Sequence, residues 1–303
     1  MRRRIQVEAE KPQFCVTTGI TFAQADAWFG NTVQDLKLDL IYPRDNTRKY
    51  PCVVWICGGA WLMMDKSAHN LYLSRLASGG FVVASVEYRT SNQGPYPMPL
   101  QDVKAAIRYL KAHADRFRIN KEQMGVMGES AGGYLTCMAA LDHDPALDVG
   151  ESAGGYLTCM AALAMDPSFD VGENLEYSSS VQAACPWYPP TDLSAFPCES
   201  AEQCASSAES LLLGFNSKRN REKAYNCSPV SKVTKDAPPF LIIHGNCDRT
   251  VPYVQSKTLY NLLEAQGCDV TLLTLDGADH ADLQFFQDET WNWIIDFFNR
   301  KLK

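Results

Sequence analysis

The stretch VMGESAGG at residues 126–133 decides the fold of this chain. It contains a G-x-S-x-G nucleophile elbow, in which a serine lies on a strained turn between a buried strand and a helix. Apolar residues precede the motif, and the helix-forming run YLTCMAAL follows it at residues 134–141. A bare match to this pattern is a weak signal. The strand and helix around it make Ser130 a candidate nucleophile.

The elbow belongs to an internal repeat. Residues 128–141 recur unchanged at 150–163, and 18 of 22 positions match when the eight residues after each copy are included. This pattern indicates a tandem duplication of one elbow and its helix, because a solenoid needs about three or more units. Two serines, Ser130 and Ser152, therefore compete for one catalytic position.

The residues before each copy separate the two serines. Copy one follows residues 123–127, which are almost wholly apolar, as a central strand requires. Copy two follows a segment in which Pro145 cannot donate to a strand ladder and Asp148 would be a buried unpaired charge. We assign Ser130 as the nucleophile and expect residues 142–163 to form an inserted loop and helix at the surface. The alternative, in which Ser152 takes the elbow and copy one loops out, remains open.

Strand and helix patterns alternate along the rest of the chain. Apolar runs or alternating patterns predict strands at 36–43, 51–57, 81–88, 181–188, 239–244 and 270–275. Helical spacing of apolar residues predicts helices at 68–78, 99–110, 253–266 and near the C-terminus. This order is typical of an α/β fold with a mostly parallel central sheet flanked by helices. The length suits one domain spanning residues 1–303.

One further motif fits the elbow. Gly58-Gly59-Ala60-Trp61 ends a predicted central strand, as the oxyanion loop of esterases does. We expect the N–H groups of Gly59, Ala60 and Ala131 to form an oxyanion hole.

Two residues much further along the chain, Asp248 and His280, complete a candidate triad with Ser130. Asp248 and His280 each follow a predicted strand, and with Ser130 they give the Ser…Asp…His order of the α/β-hydrolase fold. His280 would act as the base and Asp248 would orient it. His69 and His113 are expected at the surface, and His244 is expected to support the packing.

Aromatic residues supply candidate substrate contacts. Residues 187–238 are loop-rich, which is typical of a functional loop and predicts a cap over the substrate. Trp61, Trp187 and Tyr188 are the candidate substrate-binding side chains, although ordinary core packing explains the last two equally well.

Composition narrows the function further. The net charge of −7 gives no reason to expect nucleic acid, and no run approaches the about 18 apolar residues of a membrane span. The N-terminal residues lack the apolar core of a signal peptide, so we expect a cytoplasmic protein; secretion stays open as the alternative, since a signal segment could have been removed. Eleven cysteines in a chain of this length are expected to be reduced thiols. No spacing indicates a metal, and no cofactor is implied. An exposed apolar face of the duplicated helix could drive homo-oligomerisation.

Together these motifs resemble the α/β-hydrolase carbohydrate esterases of the acetyl xylan esterase and feruloyl esterase type. The resemblance extends from about residue 36 to the C-terminus and departs from the usual motif at Cys57, where a histidine is common. It implies a serine esterase that removes acetyl or feruloyl groups from plant polysaccharide fragments, its substrate being a small acylated carbohydrate or another ester. Two alternatives stay open: an amide hydrolase (formamidase or peptidase) using the same triad, and a binding or scaffold protein disabled by the duplication.

Overall fold

The computed structural model describes residues 2–8, 13–27, 30–141, 171–197 and 200–303. Its strands are β1 Phe14–Ala27, β2 Thr32–Pro43, β3 Tyr50–Ile56, β4 Val82–Val86, β5 Ile119–Glu129, β6 Ala183–Trp187, β7 Phe240–Gly245 and β8 Val270–Leu275. Its α-helices within these residues are α1 Asn70–Ser78, α2 Met98–Ala112, α3 Ala114–Phe117, α4 Ala131–Leu141, α5 Ala201–Ala205, α6 Ala208–Leu213, α7 Arg221–Asn226, α8 Val254–Ala265 and α9 Asp288–Leu302. Two short 3-10 helices span Pro229–Lys232 and Leu283–Phe286.

The strands form one sheet in the order β1-β2-β4-β3-β5-β6-β7-β8. Strand β2 pairs antiparallel with both β1 and β4, and every other neighbouring pair is parallel. This confirms the predicted α/β fold with a mostly parallel sheet. Strand β5, which leads into Ser130, lies between β3 and β6. The candidate nucleophile therefore follows a central strand.

Helices cover both faces of the sheet. Strands β3, β4, β6 and β7 are buried along their whole length, which explains their continuous apolar sequences. On β3, Val54 joins the apolar core on one face and Val53 joins the core on the other. Because both faces are covered, the carboxyl ends of the strands are left to form a site.

Strand β1 was not predicted from the sequence. It lies at the edge of the sheet and exposes most of its residues, with Phe14 at 41% and Val16 at 49%. An edge strand with little burial on either face has no alternation of apolar and polar residues to reveal it. Its pairing with β2 identifies it instead, and that pairing is a long antiparallel ladder interrupted by two register shifts.

Residues 142–163, the predicted insertion that carries the second copy of the repeat and Ser152, lie outside the described residues. Residues 187–238, where we predicted a cap, contain α5, α6, α7 and a 3-10 helix in their described part. The hydroxyl of Tyr134 on α4 donates a 2.6 Å hydrogen bond to the carbonyl of Cys227 in this region. The region thus packs on the helix that follows the elbow, and its role as a cap remains a prediction.

The expectation that the cysteines are reduced is wrong at one position. Cys204, next to the C-terminus of α5, is disulfide-bonded. The other cysteines of the described residues are free. Several of them are fully buried in the sheet and α4, so they behave as small core side chains. In the described part of the chain, no helix is both long and apolar enough to cross a membrane.

Candidate active site

Ser130 sits on a strained turn between β5 and α4. Its φ is +52°, a left-handed conformation that costs free energy for a residue with a side chain. Gly132 permits the turn, because a Cβ there would overlap the carbonyl oxygen of Ile56. The N–H of Ser130 donates a 3.0 Å hydrogen bond to the carbonyl of Trp187 on the neighbouring strand. The sequence motif therefore folds as a nucleophile elbow and projects the serine from the end of the sheet.

The three predicted triad residues are linked by two consecutive hydrogen bonds. Ser130 Oγ is 3.0 Å from His280 Nε2, and His280 Nδ1 is 2.7 Å from Asp248 Oδ2. Since a carboxylate can only accept, Nδ1 carries the proton and Nε2 is left to accept from the serine hydroxyl. Asp248 follows β7 and His280 follows β8. Parallel strands ending at one edge thus bring together residues far apart in sequence.

Asp248 is held as a buried carboxylate. Its Oδ1 accepts 2.8 Å hydrogen bonds from the N–H groups of Thr250 and Val251, and His244 Nε2 lies 3.2 Å from Oδ2. Burial alone would raise the pKa of Asp248, but hydrogen bonds from His244 and His280 lower it far below its usual value. The group therefore stays charged and can stabilise an imidazolium on His280.

His244 is buried, as its expected packing role requires, and it also contacts Asp248, which was not predicted. It is fully buried, with Nδ1 2.7 Å from Ser256 Oγ and Nε2 3.0 Å from the carbonyl oxygen of Val251. Asp279, the other carboxylate beside His280, instead accepts hydrogen bonds from the N–H groups of Arg249 and His280. Asp279 therefore shapes the loop, while Asp248 contacts the imidazole.

The predicted oxyanion loop packs against the elbow. A Cβ built on Gly58 would lie 3.3 Å from the Cβ of Ser130. The next residues have positive φ angles, +121° at Gly59 and +55° at Ala60, which turn the backbone sharply after β3. Ala131 is the first residue of α4, where N–H groups have no acceptor within the helix. The three predicted donors thus lie in the segments adjoining the nucleophile.

The predicted substrate contacts of three aromatic residues need correction. Trp61 is 1% exposed, and Trp187 and Tyr188 are 0% exposed. Trp61 packs edge-on against Tyr134 with ring centroids 5.3 Å apart, and Trp187 stacks on Phe285 at 5.9 Å. Side chains this buried cannot touch substrate in this conformation. Apolar packing in the layers beside the sheet is the reason, so these residues support the site from within.

The expectation that His69 lies at the surface is wrong. Its Nε2 is 2.8 Å from Oε1 of Glu129, the residue before the nucleophile, and only 21% of its side chain is exposed. Tyr188 donates a 2.6 Å hydrogen bond to the other oxygen of the same carboxylate. The sequence motif identified the position of Glu129 but not its partners, which come from distant segments. The expected surface position of His113 is only partly met, because it is half-buried and its Nδ1 lies 2.9 Å from the carbonyl oxygen of Tyr109.

No group of three or more His, Cys, Asp or Glu side chains that could hold a metal ion occurs among the described residues.

Comparison with known proteins supports the fold. The BD-FAE family model matches residues 38–149 and 141–263, so the matched segments meet inside the repeat. The chain is 29% identical to Esterase LipC of Mycobacterium tuberculosis over 78% of this chain and 54% of LipC. It thus spans about half the length of that relative.

Two solved structures share the whole fold. A truncated form of a carbohydrate esterase from gut microbiota superimposes with a TM-score of 0.79 and 27% identity, covering 97% of this chain and 98% of that one. A bifunctional GH43-CE protein of Bacteroides eggerthii gives 0.80 and 28%, covering 95% of this chain and 35% of its own. The chain therefore belongs to the BD-FAE family and has the α/β-hydrolase fold.

Proposed function

We propose that this protein is a serine carboxylic-ester hydrolase that works through an acyl-enzyme on Ser130. The observation that carries this proposal is the continuous hydrogen-bond chain from Ser130 through His280 to Asp248, with both links at 3.0 Å or less. A serine hydroxyl is a weak nucleophile unless a base is within reach, and His280 is within reach. The esterase names of the relatives support the same reaction.

Each residue has a distinct task in the reaction. His280 Nε2 takes the proton as Ser130 Oγ forms a bond to the ester carbonyl carbon, and the carbonyl oxygen becomes negatively charged. The N–H groups of Gly59, Ala60 and Ala131 are the candidate donors to that oxygen, each worth about 3 kcal/mol in comparable sites. His280 then protonates the departing alcohol. The acyl group remains bound to Ser130 Oγ as an ester. Water, deprotonated by His280, releases the acid and restores the serine.

For the substrate we propose acetyl or feruloyl esters of plant polysaccharide fragments. The solved structures that match nearly all of this chain include proteins named as carbohydrate esterases, and the family model has the description BD-FAE. The net charge of −7 fits an uncharged substrate better than a polyanion.

The experiment compares substrates on one preparation of the enzyme. Acetylated xylan oligosaccharides, feruloylated arabinoxylan oligosaccharides, p-nitrophenyl acetate, an N-formyl amide and a peptide would be offered to the wild-type protein and to Ser130→Ala. We expect release of acetate or ferulate by the wild type alone. Faster turnover of the amides would favour an amide hydrolase. A folded wild-type protein that cleaves none of them would support a binding or scaffold role.

A further inference from the structure

We propose that Glu129 is a positioning residue: through Tyr188 its carboxylate holds the His280 ring, and through Gly58 it holds the oxyanion loop, in place around Ser130. This inference rests on the proposed function of the same site. It concerns a side chain that does not touch the reacting atoms and acts through its neighbours.

The carboxylate of Glu129 gathers three donors from three separate segments. His69 Nε2 lies 2.8 Å from Oε1, the N–H of Gly58 donates to the same oxygen at 3.4 Å, and the Tyr188 hydroxyl donates to Oε2 at 2.6 Å. These partners are 60, 71 and 59 residues away in sequence. Only 12% of the Glu129 side chain is exposed, so solvent cannot easily replace a lost partner.

The ionised form of Glu129 is the one that suits all three partners. Burial by itself would raise the pKa of this carboxyl group, but the hydrogen bonds from His69, Tyr188 and Gly58 bring it below the usual value. A carboxylate only accepts hydrogen bonds, so His69 must present Nε2–H to it. A neutral amide in its place would replace one oxygen with an NH2 group. At the Oε1 position that group would oppose the N–H groups of His69 and Gly58, and at the Oε2 position it would force the Tyr188 hydroxyl to accept instead of donate.

Tyr188 carries the effect to the catalytic base. Its ring centroid is 4.5 Å from that of His280, at an interplanar angle of 57°. The residue is fully buried, and its N–H donates a 2.7 Å hydrogen bond to the carbonyl of Ile243 on β7. The backbone is thus anchored by the sheet and the ring tip by Glu129. The Tyr188 ring is therefore held in a fixed position against one side of the His280 imidazole.

Gly58 carries the effect to the oxyanion loop. A Cβ on Gly58 would lie 3.0 Å from the carbonyl oxygen of Glu129, so backbone and side chain of Glu129 both contact this loop. On the other side, the Tyr88 hydroxyl donates a 3.0 Å hydrogen bond to the carbonyl of Cys57. The start of the loop is therefore held from two directions.

The test uses Glu129→Gln and Tyr188→Phe in the full chain. Tyr188→Phe keeps the ring against His280 and removes only the hydroxyl, so it should fold. The chain offers a matched control pair, because Tyr260 on α8 donates an equally short 2.6 Å hydrogen bond to Glu264, and this hydrogen bond is exposed to solvent. Glu264→Gln and Tyr260→Phe make the same chemical changes away from the site.

Two readouts are needed. One is the split between kcat and KM, together with the rate at which a fluorophosphonate labels Ser130. The other is the NMR signal of the proton between His280 Nδ1 and Asp248, assigned by its loss in His280→Gln. Displacements of about 1 Å in an active site cost about 100-fold in rate, so we expect kcat and labelling to fall about 10-fold to 100-fold with KM changed about twofold at most. The imidazole proton signal should shift or broaden in both variants.

The double variant sharpens the result. If both residues act through one hydrogen bond, Glu129→Gln with Tyr188→Phe should lose little more activity than Glu129→Gln alone. Unchanged rates and an unchanged imidazole proton in folded variants would overturn the inference, as would equal losses in the Tyr260 and Glu264 controls. A wild-type protein that is inactive, yet whose imidazole proton moves in both variants, would instead overturn the proposed function and leave the positioning role supported.

Discussion

Ser130 Oγ and His280 Nε2 lie 3.0 Å apart although 150 residues separate them in the chain. Ser130 is brought there by central strand β5 and His280 by edge strand β8, which end at the same side of a parallel sheet. The strained φ of Ser130 lifts the hydroxyl out of the strand toward the imidazole. The sheet and the elbow thus bring the candidate nucleophile and the candidate base within hydrogen-bond reach of each other.

Asp248→Asn should abolish most of the activity while preserving the fold. The amide cannot stabilise an imidazolium, and it favours the wrong tautomer of His280, a change that costs about 10⁴-fold in kcat in a well-studied serine protease triad. Steady-state kinetics measure the loss. Asp279→Asn is the control. The Asp279 side chain accepts hydrogen bonds from the backbone N–H groups of Arg249 and His280 and lies near the Arg249 side chain. A loss of similar size in Asp279→Asn would contradict the assignment of Asp248 as the carboxylate that orients His280.

Stability should fall in acid, partly because of Asp248. The pKa of Asp248 is lowered in the folded protein, whereas an unfolded Asp titrates near about 3.9. The folded state then binds the proton more weakly, so this contribution to the free energy of unfolding is complete well above pH about 4 and is lost as the pH falls through the folded pKa.

Urea unfolding at pH 7 and pH 3.5 tests this. The decrease in unfolding free energy between the two pH values should be smaller in Asp248→Asn than in wild type. Asp236→Asn, at an exposed carboxylate whose side chain is 72% accessible, should keep the wild-type decrease. An equal decrease in Asp248→Asn would contradict the folded-state environment described for this group.

Gly59→Ala should disable the oxyanion loop. Gly59 has a φ of +121°, and a Cβ there would overlap the carbonyl oxygen of Met63. The loop would have to move, and loss of one oxyanion donor costs about 100-fold to 1000-fold in kcat. Gly267→Ala is the control, because Gly267 also has a positive φ, +74°, but nothing lies within 4 Å of its Cβ position. Kinetics that are unaltered in Gly59→Ala would exclude this loop from the site.

Trp187→Ala should act mainly on stability. The side chain is 0% exposed and contacts the rings of Trp55, Phe285 and Trp291, and truncating a buried Trp typically costs about 3–5 kcal/mol. Denaturant unfolding measures the change. Trp293→Ala, at a tryptophan that is 43% exposed, should cost far less. A stable Trp187→Ala protein with only a raised KM would restore the original prediction that Trp187 binds substrate.

The sequence predicted the parts of this fold that depend on local pattern. Strand β3 is continuously apolar because it is buried on both faces, and the elbow has a motif of its own. Edge strand β1 was not predicted because its exposed residues show no alternation of apolar and polar side chains. The contacts of Glu129 were not predicted for another reason. They join segments about 60 to 70 residues apart, and nothing in the local sequence of His69 or Tyr188 indicates a carboxylate partner.

The most direct test of the account is to label the protein with a fluorophosphonate and locate the modified serine. Trypsin cannot separate the two repeats, because no Lys or Arg occurs between Lys121 and Lys218. A protease that cleaves before Asp yields residues 115–141 with Ser130 and residues 148–165 with Ser152. We predict the label on 115–141 and its loss in Ser130→Ala. Label on 148–165, or none on folded protein, would contradict the assignment of Ser130 as the nucleophile.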